Sequence, residues 1–291
     1  MFTDEELREL SRSPRARLER ATAPASMRDE LAALEREHLG QRDRYLDWVS
    51  TILATAAERH GPPGLRLLTK RTLVFFAAYP GVEPVLAEPP PPMAGEVAAA
   101  ADIERALAIF DRREAEWRSV IDVLRDWLSA LLSEVYSQWG PDELEAFHRR
   151  RGEDSLRGLM ADIERPAEER LLNLVRLLRG HFTELEVSQD DEKFTIVQDP
   201  CGTCARQVLD GRFAAGLGLA VVADEHPVTW GGRPTTIYRT HVPIWHVEMA
   251  RERIGAPWPV NLCPSGLDGG ACTILLYKNP SDAATKGPRL P

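Results

Sequence analysis

The side chains able to bind metal or carry thiol chemistry are concentrated in one stretch of this 291-residue chain. All four cysteines lie between Cys201 and Cys272, and three of the seven histidines (His226, His241 and His246) lie there too. "PCGTC" (200–204) places Cys201 and Cys204 at Cys-x-x-Cys spacing, which lets two thiolates reach one ion from a tight turn. Gly202 gives that turn backbone freedom and Pro200 fixes its entry. His241, after an expected strand, and Cys272, opening another, are the candidate third and fourth ligands. Cys263 and His246 are spare candidates. Thiolate and imidazole donors in tetrahedral array point to zinc, although iron and copper accept the same donors. Two other readings stay open. A thioredoxin-like redox pair needs a motif that opens a helix in a βαβ context, and here Gly211 and Gly216 cut that helix short. Free cysteines also serve as small packed hydrophobes.

The carboxylates near these ligands are Asp199, Glu248 and Asp268. If a bound metal holds a water, Asp199 or Glu248 is placed to act as base. Asp199 equally suits a cap on the cysteine turn, and Glu248 a solvated helix face. Other chemistries lack their signatures. "AAGLGLA" matches neither a phosphate loop nor a dinucleotide fingerprint. No Gly-x-Ser-x-Gly elbow occurs, and Ser265 in "CPSGLDGG" has no base near it and reads as a turn. Trp117, Trp127 and Trp139 could line a pocket, but their helical spacing points to core packing. His38, His60 and His148 have no partner at ligand spacing and are expected at the surface or at caps, as is the run "HRRR" (148–151).

The elements that must position these residues divide the chain into unlike parts. Residues 1–182 read as a helical domain. Thr3 with Glu6 and Ser26 with Asp29 are capping-box signals. Apolar residues recur at helical spacing over 26–60, until "HGPPG" ends the segment, and again over 64–77 and 96–138. Shorter helices follow at 141–149, 153–163 and 166–180, and "EPPPPM" (88–93) reads as a stiff connector. From 183 to 278 the pattern is α+β, with a mainly antiparallel sheet carrying the Cys/His metal site. Strands are expected on either side of "SQDDEK", at 217–224, through Ile237 and Tyr238 after a turn at Gly231–Gly232, and at 271–278, with a helix over 243–255. The Pro- and Ala-rich residues 279–291 are expected to be a disordered tail. The fold class is thus α+β: an N-terminal helical bundle followed by a smaller antiparallel sheet lobe.

The formal net charge of −9 argues against a nucleic-acid partner. No apolar run is long enough to span a membrane, and "MFTDEELREL" is too charged to be a secretory signal. A cytoplasmic chain with reduced thiols is expected, in which Cys-x-x-Cys is more often a metal or redox element than a disulfide.

"GHFTELEVSQDDEKFTIVQDPCGTCARQ" (180–207) and "YRTHVPIWHVEMARERIGAPWPVNLCPSGLDGGACTILLYK" (238–278) resemble segments of the L-2-amino-thiazoline-4-carboxylic acid hydrolase-like family. Its wider superfamily is similar to the vinyl-reductase-type α+β ligand-binding domains. The resemblance covers roughly residues 140–278. It carries over Cys201, His241 and Cys272 as metal or active-site positions. Two departures stand out: Cys204 occupies a position usually held by glycine, and Arg239 and Val242 replace flanking cysteines, so that a ligand has moved to Cys204. The resemblance implies a zinc-dependent hydrolase of a small molecule with a C–N or C–S bond, such as a cyclic amidine or thiazoline. A metal-stabilised binding or sensor module without turnover is the alternative, and a thiol redox protein a third. The expected partner is a small-molecule substrate or ligand, and the long apolar helices leave room for a homodimer.

Overall fold

The structure, a computed structural model, describes residues 2–79, 89–263 and 267–288. Two long helices dominate it: α3 (Arg28–Ala78) and α5 (Ile103–Ile163). Before them come α1 (Asp4–Ser11) and α2 (Pro14–Arg20), and between them α4 (Met93–Ala98). The Thr3–Glu6 capping box starts α1, with each side chain satisfying the other residue's free amide. The Ser26–Asp29 signal does not cap: Ser26 lies in a 3₁₀ turn, Pro24–Met27, and its hydroxyl donates to the Ala23 carbonyl at 2.8 Å.

"HGPPG" breaks α3 where the sequence places a helix end. Gly61 adopts φ 63°, and Pro62 and Pro63 supply no amide donors, so the helix restarts at a new angle. Gly140 (φ 82°) before Pro141 breaks α5 in the same way, as expected, whereas the helices expected at 141–149 and 153–163 run on as one. The apolar stripes of the two rods meet. Trp48, Ile52 and Ala56 of α3 pack in one cluster with Trp117, Leu124 and Leu131 of α5. Burying each large apolar side chain contributes about 1.5–3 kcal/mol, and this seam holds the helical part together. α6 (Ala167–Gly180) runs back beside it and buries Leu171, Val175 and Leu178.

The sheet is antiparallel, in the order β1 (Leu185–Gln189), β2 (Lys193–Gln198), β6 (Cys272–Tyr277), β5 (Val260–Leu262). Phe194, Ile196 and Gln198 of β2 are buried, as strict alternation requires. β2 pairs with β6 in a register that sets Gln198 opposite Cys272. Between these strands lie α7 (Cys204–Leu209) and a separate ladder of β3 (Val221–Val222) and β4 (Thr235–Thr236). The strand expected over 217–224 shrinks to those two residues, because Gly216 and Gly218 take positive φ before it. Ile237 and Tyr238 are not extended: they begin a 3₁₀ turn, Ile237–Thr240. The expected helix at 243–255 begins earlier, as α8 (His241–Pro243), widens into a π turn (Ile244–Glu248) and closes as α9 (Met249–Ile254).

Four expectations need correction. His38 and His148 are fully buried, and Arg151 of "HRRR" is nearly so, because the chain after 180 covers that side of the helices. His60 is half-buried and stacks on Trp139 at 3.8 Å. The segment after 279 is folded through residue 288: α10 (Asp282–Thr285) buries Ala283 against the sheet, and the Tyr277 hydroxyl donates to the Lys286 carbonyl. The last three residues and the turn holding Ser265 lie outside the described residues, as does the start of "EPPPPM". Finally, the boundary at 182 does not separate two cores. The largest apolar cluster joins Tyr45, Trp48 and Leu124 to Cys201, Val222 and Ile237. No helix among the described residues is long and apolar enough to cross a membrane.

Candidate metal centre in a thiol-lined cavity

β2 leads straight into the cysteine motif, and four contacts fix the turn that follows. The Gly202 amide donates to the Thr183 hydroxyl at 2.9 Å. A Cβ on Gly202 would lie 2.0 Å from the His181 carbonyl oxygen and 2.4 Å from the Thr183 hydroxyl, so close approach, not a left-handed backbone, explains the glycine. Arg206, one turn into α7, donates to the His181 carbonyl at 2.8 Å and to Asp122 of α5 through two guanidinium nitrogens. Gln207 donates to Asp126 at 2.8 Å and to the Ser129 hydroxyl at 3.0 Å. Arg125 bridges Asp122 and Asp126 and reaches the Thr203 carbonyl. These side chains are almost wholly buried. Ion pairs in such a place add little net stability, but removing one partner strands the other. Their effect is to lock the Cys-x-x-Cys turn onto α5.

The antiparallel register then brings Cys272 to the same place. The sulfurs of Cys201, Cys204 and Cys272 lie within 4.8 Å of one another, and those of Cys201 and Cys204 are 3.9 Å apart. Sulfurs bound tetrahedrally to zinc at about 2.3 Å stand about 3.8 Å from each other. The three buried thiols therefore fit a thiophilic ion with little movement and could hold a metal.

The charge on this cluster is unevenly placed. Thiol hydrogen bonds from Cys204 and Cys272, with the Thr203 hydroxyl at 3.2 Å, hold the Cys201 thiol well below its usual range. The Cys201 thiolate in turn pushes the thiols of Cys204 and Cys272 up. Cys263 is half-buried beside Cys272, whose hydrogen bond lowers its pKa, with a further contribution from the Arg239 guanidinium. It lies outside the three-sulfur group.

The thiols open on a cavity of about 520 Å³ between sheet and helices, large enough for a small organic ligand. Tyr45, Trp48, Tyr238, His181, His241 and Trp245 form much of its wall near the cysteines. Tyr45 and Tyr238 share a hydroxyl hydrogen bond of 3.0 Å, and burial pushes Tyr45 up to about 12. Burial lowers His181 and His241 to about 3 and lowers His246 as well, so all three stay uncharged. The His241 Nδ1–H donates to the Tyr238 carbonyl at 2.5 Å, and the His246 Nδ1–H to that of Trp258 at 3.1 Å. Each Nε2 therefore carries a lone pair.

Of the expected ligands, then, Cys201, Cys204 and Cys272 come together. His241 and His246 line the same cavity but do not join the three sulfurs. Asp199 and Glu248 lie off the cavity, which removes the expected bases. Asp199 is exposed, and Glu248 pairs with Arg251 at 3.5 Å on the helix exterior. Trp117, Trp127 and Trp139 pack with the core and do not line the cavity. Neither the Asp122–Arg206 lock nor the π turn that carries Trp245 and His246 follows from local sequence pattern. The only signal for the lock was charge inside the apolar stripe of α5. The chain matches no family model, no curated protein and no solved structure.

Proposed function

We propose that this chain is a metal-dependent hydrolase whose three cysteines hold one zinc ion at the wall of a substrate cavity. The observation that carries the reading is the position of the sulfurs, clustered within 4.8 Å of one another and open on one side to a cavity. Three protein ligands with a fourth position left open is the pattern of catalytic rather than structural zinc. Bound there, the ion would supply Lewis-acid polarisation of the substrate's C–N or C–S bond. The chain's residues do the rest. The three thiolates bind, and the lock of Arg206 on Asp122 keeps them in register. Of the hydrogen-bonded pair Tyr45 and Tyr238, the hydroxyl that accepts within the pair keeps its proton to donate from the wall. His241, neutral with its lone pair on Nε2, accepts one from the attacking water and orients it. The apolar wall limits competing water. The family resemblance over residues 140–278 supports a cyclic amidine or thiazoline as the reacting group.

The proximity of Cys263 to Cys272 favours a second reading, in which Cys263 closes the shell and the protein is a metal-stabilised binding or sensor module. Metal content per chain, measured together with X-ray absorption, decides between them. One equivalent of zinc with three sulfurs and a light-atom ligand, and turnover of cyclic amidines or thiazolines, is the expected result. Four sulfurs and no turnover would establish the binding module. No metal, with Cys201 and Cys204 oxidising readily to a disulfide, would overturn both.

A further inference from the structure

The cavity is long, and its two ends differ in chemistry. Cys272, Ile274 and Leu276 of β6 all line it, as every second residue of a strand must when one face borders a space. At about 3.2–3.4 Å per residue, the wall runs about 13 Å from the thiols to Leu276. α6 gives the same measure independently. Arg170 and His181 both line the cavity, and eleven residues of helix span about 16 Å. His181 belongs to the thiol end, since its carbonyl accepts from Arg206. Arg170 belongs to the other, since it donates to the carbonyls of Tyr277 at 3.2 Å and Lys278 at 2.6 Å, just past Leu276. Between the ends the wall includes Leu156, Leu159, Leu174 and Ile274, with Asn261 opposite Ile274 and its side chain turned to the Pro259 carbonyl.

Arg170 is 2% exposed, and its Nε has no hydrogen-bond partner. It lies over the Trp258 ring at 5.2 Å. Arg44 pairs with Glu37 and Arg151 with Asp47, but Arg170 has no carboxylate within ion-pair distance among the described residues. Asp162, at the same end, is held by Asn173 at 2.8 Å and faces Arg165 at 3.7 Å. A buried guanidinium with a free donor at the end of an apolar channel suits an anionic group on a ligand.

We infer that the cavity takes an elongated, largely aliphatic carboxylate, whose carboxylate meets Arg170 and whose far end reaches the cysteines about 13 Å away. This deepens the hydrolase reading by naming its substrate class: the reacting group sits at the end of an apolar arm remote from the anion. The test reads binding rather than turnover and uses the metal-free full chain, so failure of the metal chemistry would leave it intact. Straight-chain monocarboxylates of increasing length serve as probes in isothermal titration calorimetry. Affinity should rise about three- to fourfold per added methylene until the channel is filled, then level off. Arg170→Gln should weaken every length by about tenfold or more. Leu174→Trp, which leaves the carbonyl contacts of Arg170 in place, should move the plateau to shorter chains and spare the shortest ones. Length-independent affinity, or equal affinity in wild type and a folded Arg170→Gln, would overturn the inference. If Arg170→Gln does not fold, an unchanged plateau in Leu174→Trp would overturn it alone.

Discussion

Replacing Gly202 with alanine puts the geometry of the thiol site to a sharp test. The added Cβ would stand 2.0 Å from the His181 carbonyl oxygen and 2.4 Å from the Thr183 hydroxyl. An ordinary contact needs more than 3 Å, so the turn must move by about 1 Å or His181 must yield. His181 cannot yield freely, because its carbonyl also accepts from Arg206. Overpacking of this kind costs about 1–3 kcal/mol, and here the obstacle is backbone, which places the loss at the upper end. For a chain of this size that lowers the melting temperature by several degrees. Cys201 precedes the glycine directly and moves with it. Metal–ligand distances tolerate only about 0.2 Å, so metal affinity should fall at least tenfold even where the fold survives. Differential scanning calorimetry and cobalt titration, which reports thiolate ligation by its absorption, read the two effects separately. A Gly202→Ala protein with wild-type melting and wild-type cobalt affinity would refute the claim that close approach at this glycine sets the site.

Serine at Cys201, Cys204 or Cys272 should each cut bound metal well below one equivalent, whereas Cys263→Ser should retain it if the shell is open; elemental analysis of the four variants distinguishes them. Metal binding should release protons, because cysteines ligate as thiolates and the cluster pushes the thiols of Cys204 and Cys272 up. Affinity should therefore rise with pH, measurable as heats that vary with the ionisation enthalpy of the buffer. Asp122→Asn should cost about 3–5 kcal/mol by leaving Arg206 and Arg125 without their shared anion, and replacing Asp122 and Arg206 together with apolar residues should cost less than the sum; denaturant unfolding of the three variants tests the cycle. His38, lowered to about 4, and His181 and His241, lowered to about 3, are buried uncharged by desolvation. The unfolded chain takes up protons at these residues below about 6.5, where the folded chain does not, so stability should fall as pH drops from 6.5 toward 4. Urea midpoints across that range, with imidazole titrations by NMR, would show it, and histidines titrating near 6.5 in the folded protein would contradict it.

The site was readable where local pattern governs. β2 alternates cleanly, and a strand that ends at Gln198 must deliver Cys201 three residues later to whatever pairs with it. Cys272 opens a second short apolar strand, and antiparallel pairing with β2 sets it opposite Gln198. Long-range burial was not readable. His38 and His148 look like surface residues on their helices, and only the chain folded over them makes them core. Arg206 and Asp122 stand 84 residues apart, and nothing local marks their pairing. The rods were partly readable: Gly-Pro at 61–62 and 140–141 carries every sign of a helix end, and the backbone does leave the helix at Gly61 and Gly140, but the continuity of 141–163 has no mark in the sequence. His241 was expected among the ligands by residue type, but its place at the head of α8 sets it on the cavity wall instead.

The order of strands in the sheet has a consequence for how the protein comes into being. β6 is central, flanked by β2 and β5, yet it follows both in the chain. A nascent polypeptide emerging from a ribosome can close the β1–β2 hairpin and lay down α3 against α5 early. The sheet has no middle until β6 arrives, and the third sulfur arrives with it. Cys201 and Cys204 therefore wait through the synthesis of some seventy further residues as a two-thiol site, competent for loose metal capture or for oxidation, before Cys272 completes the group. If the three sulfurs hold an ion, full loading must await the closed sheet, and a bound ion would mark a molecule that has finished folding.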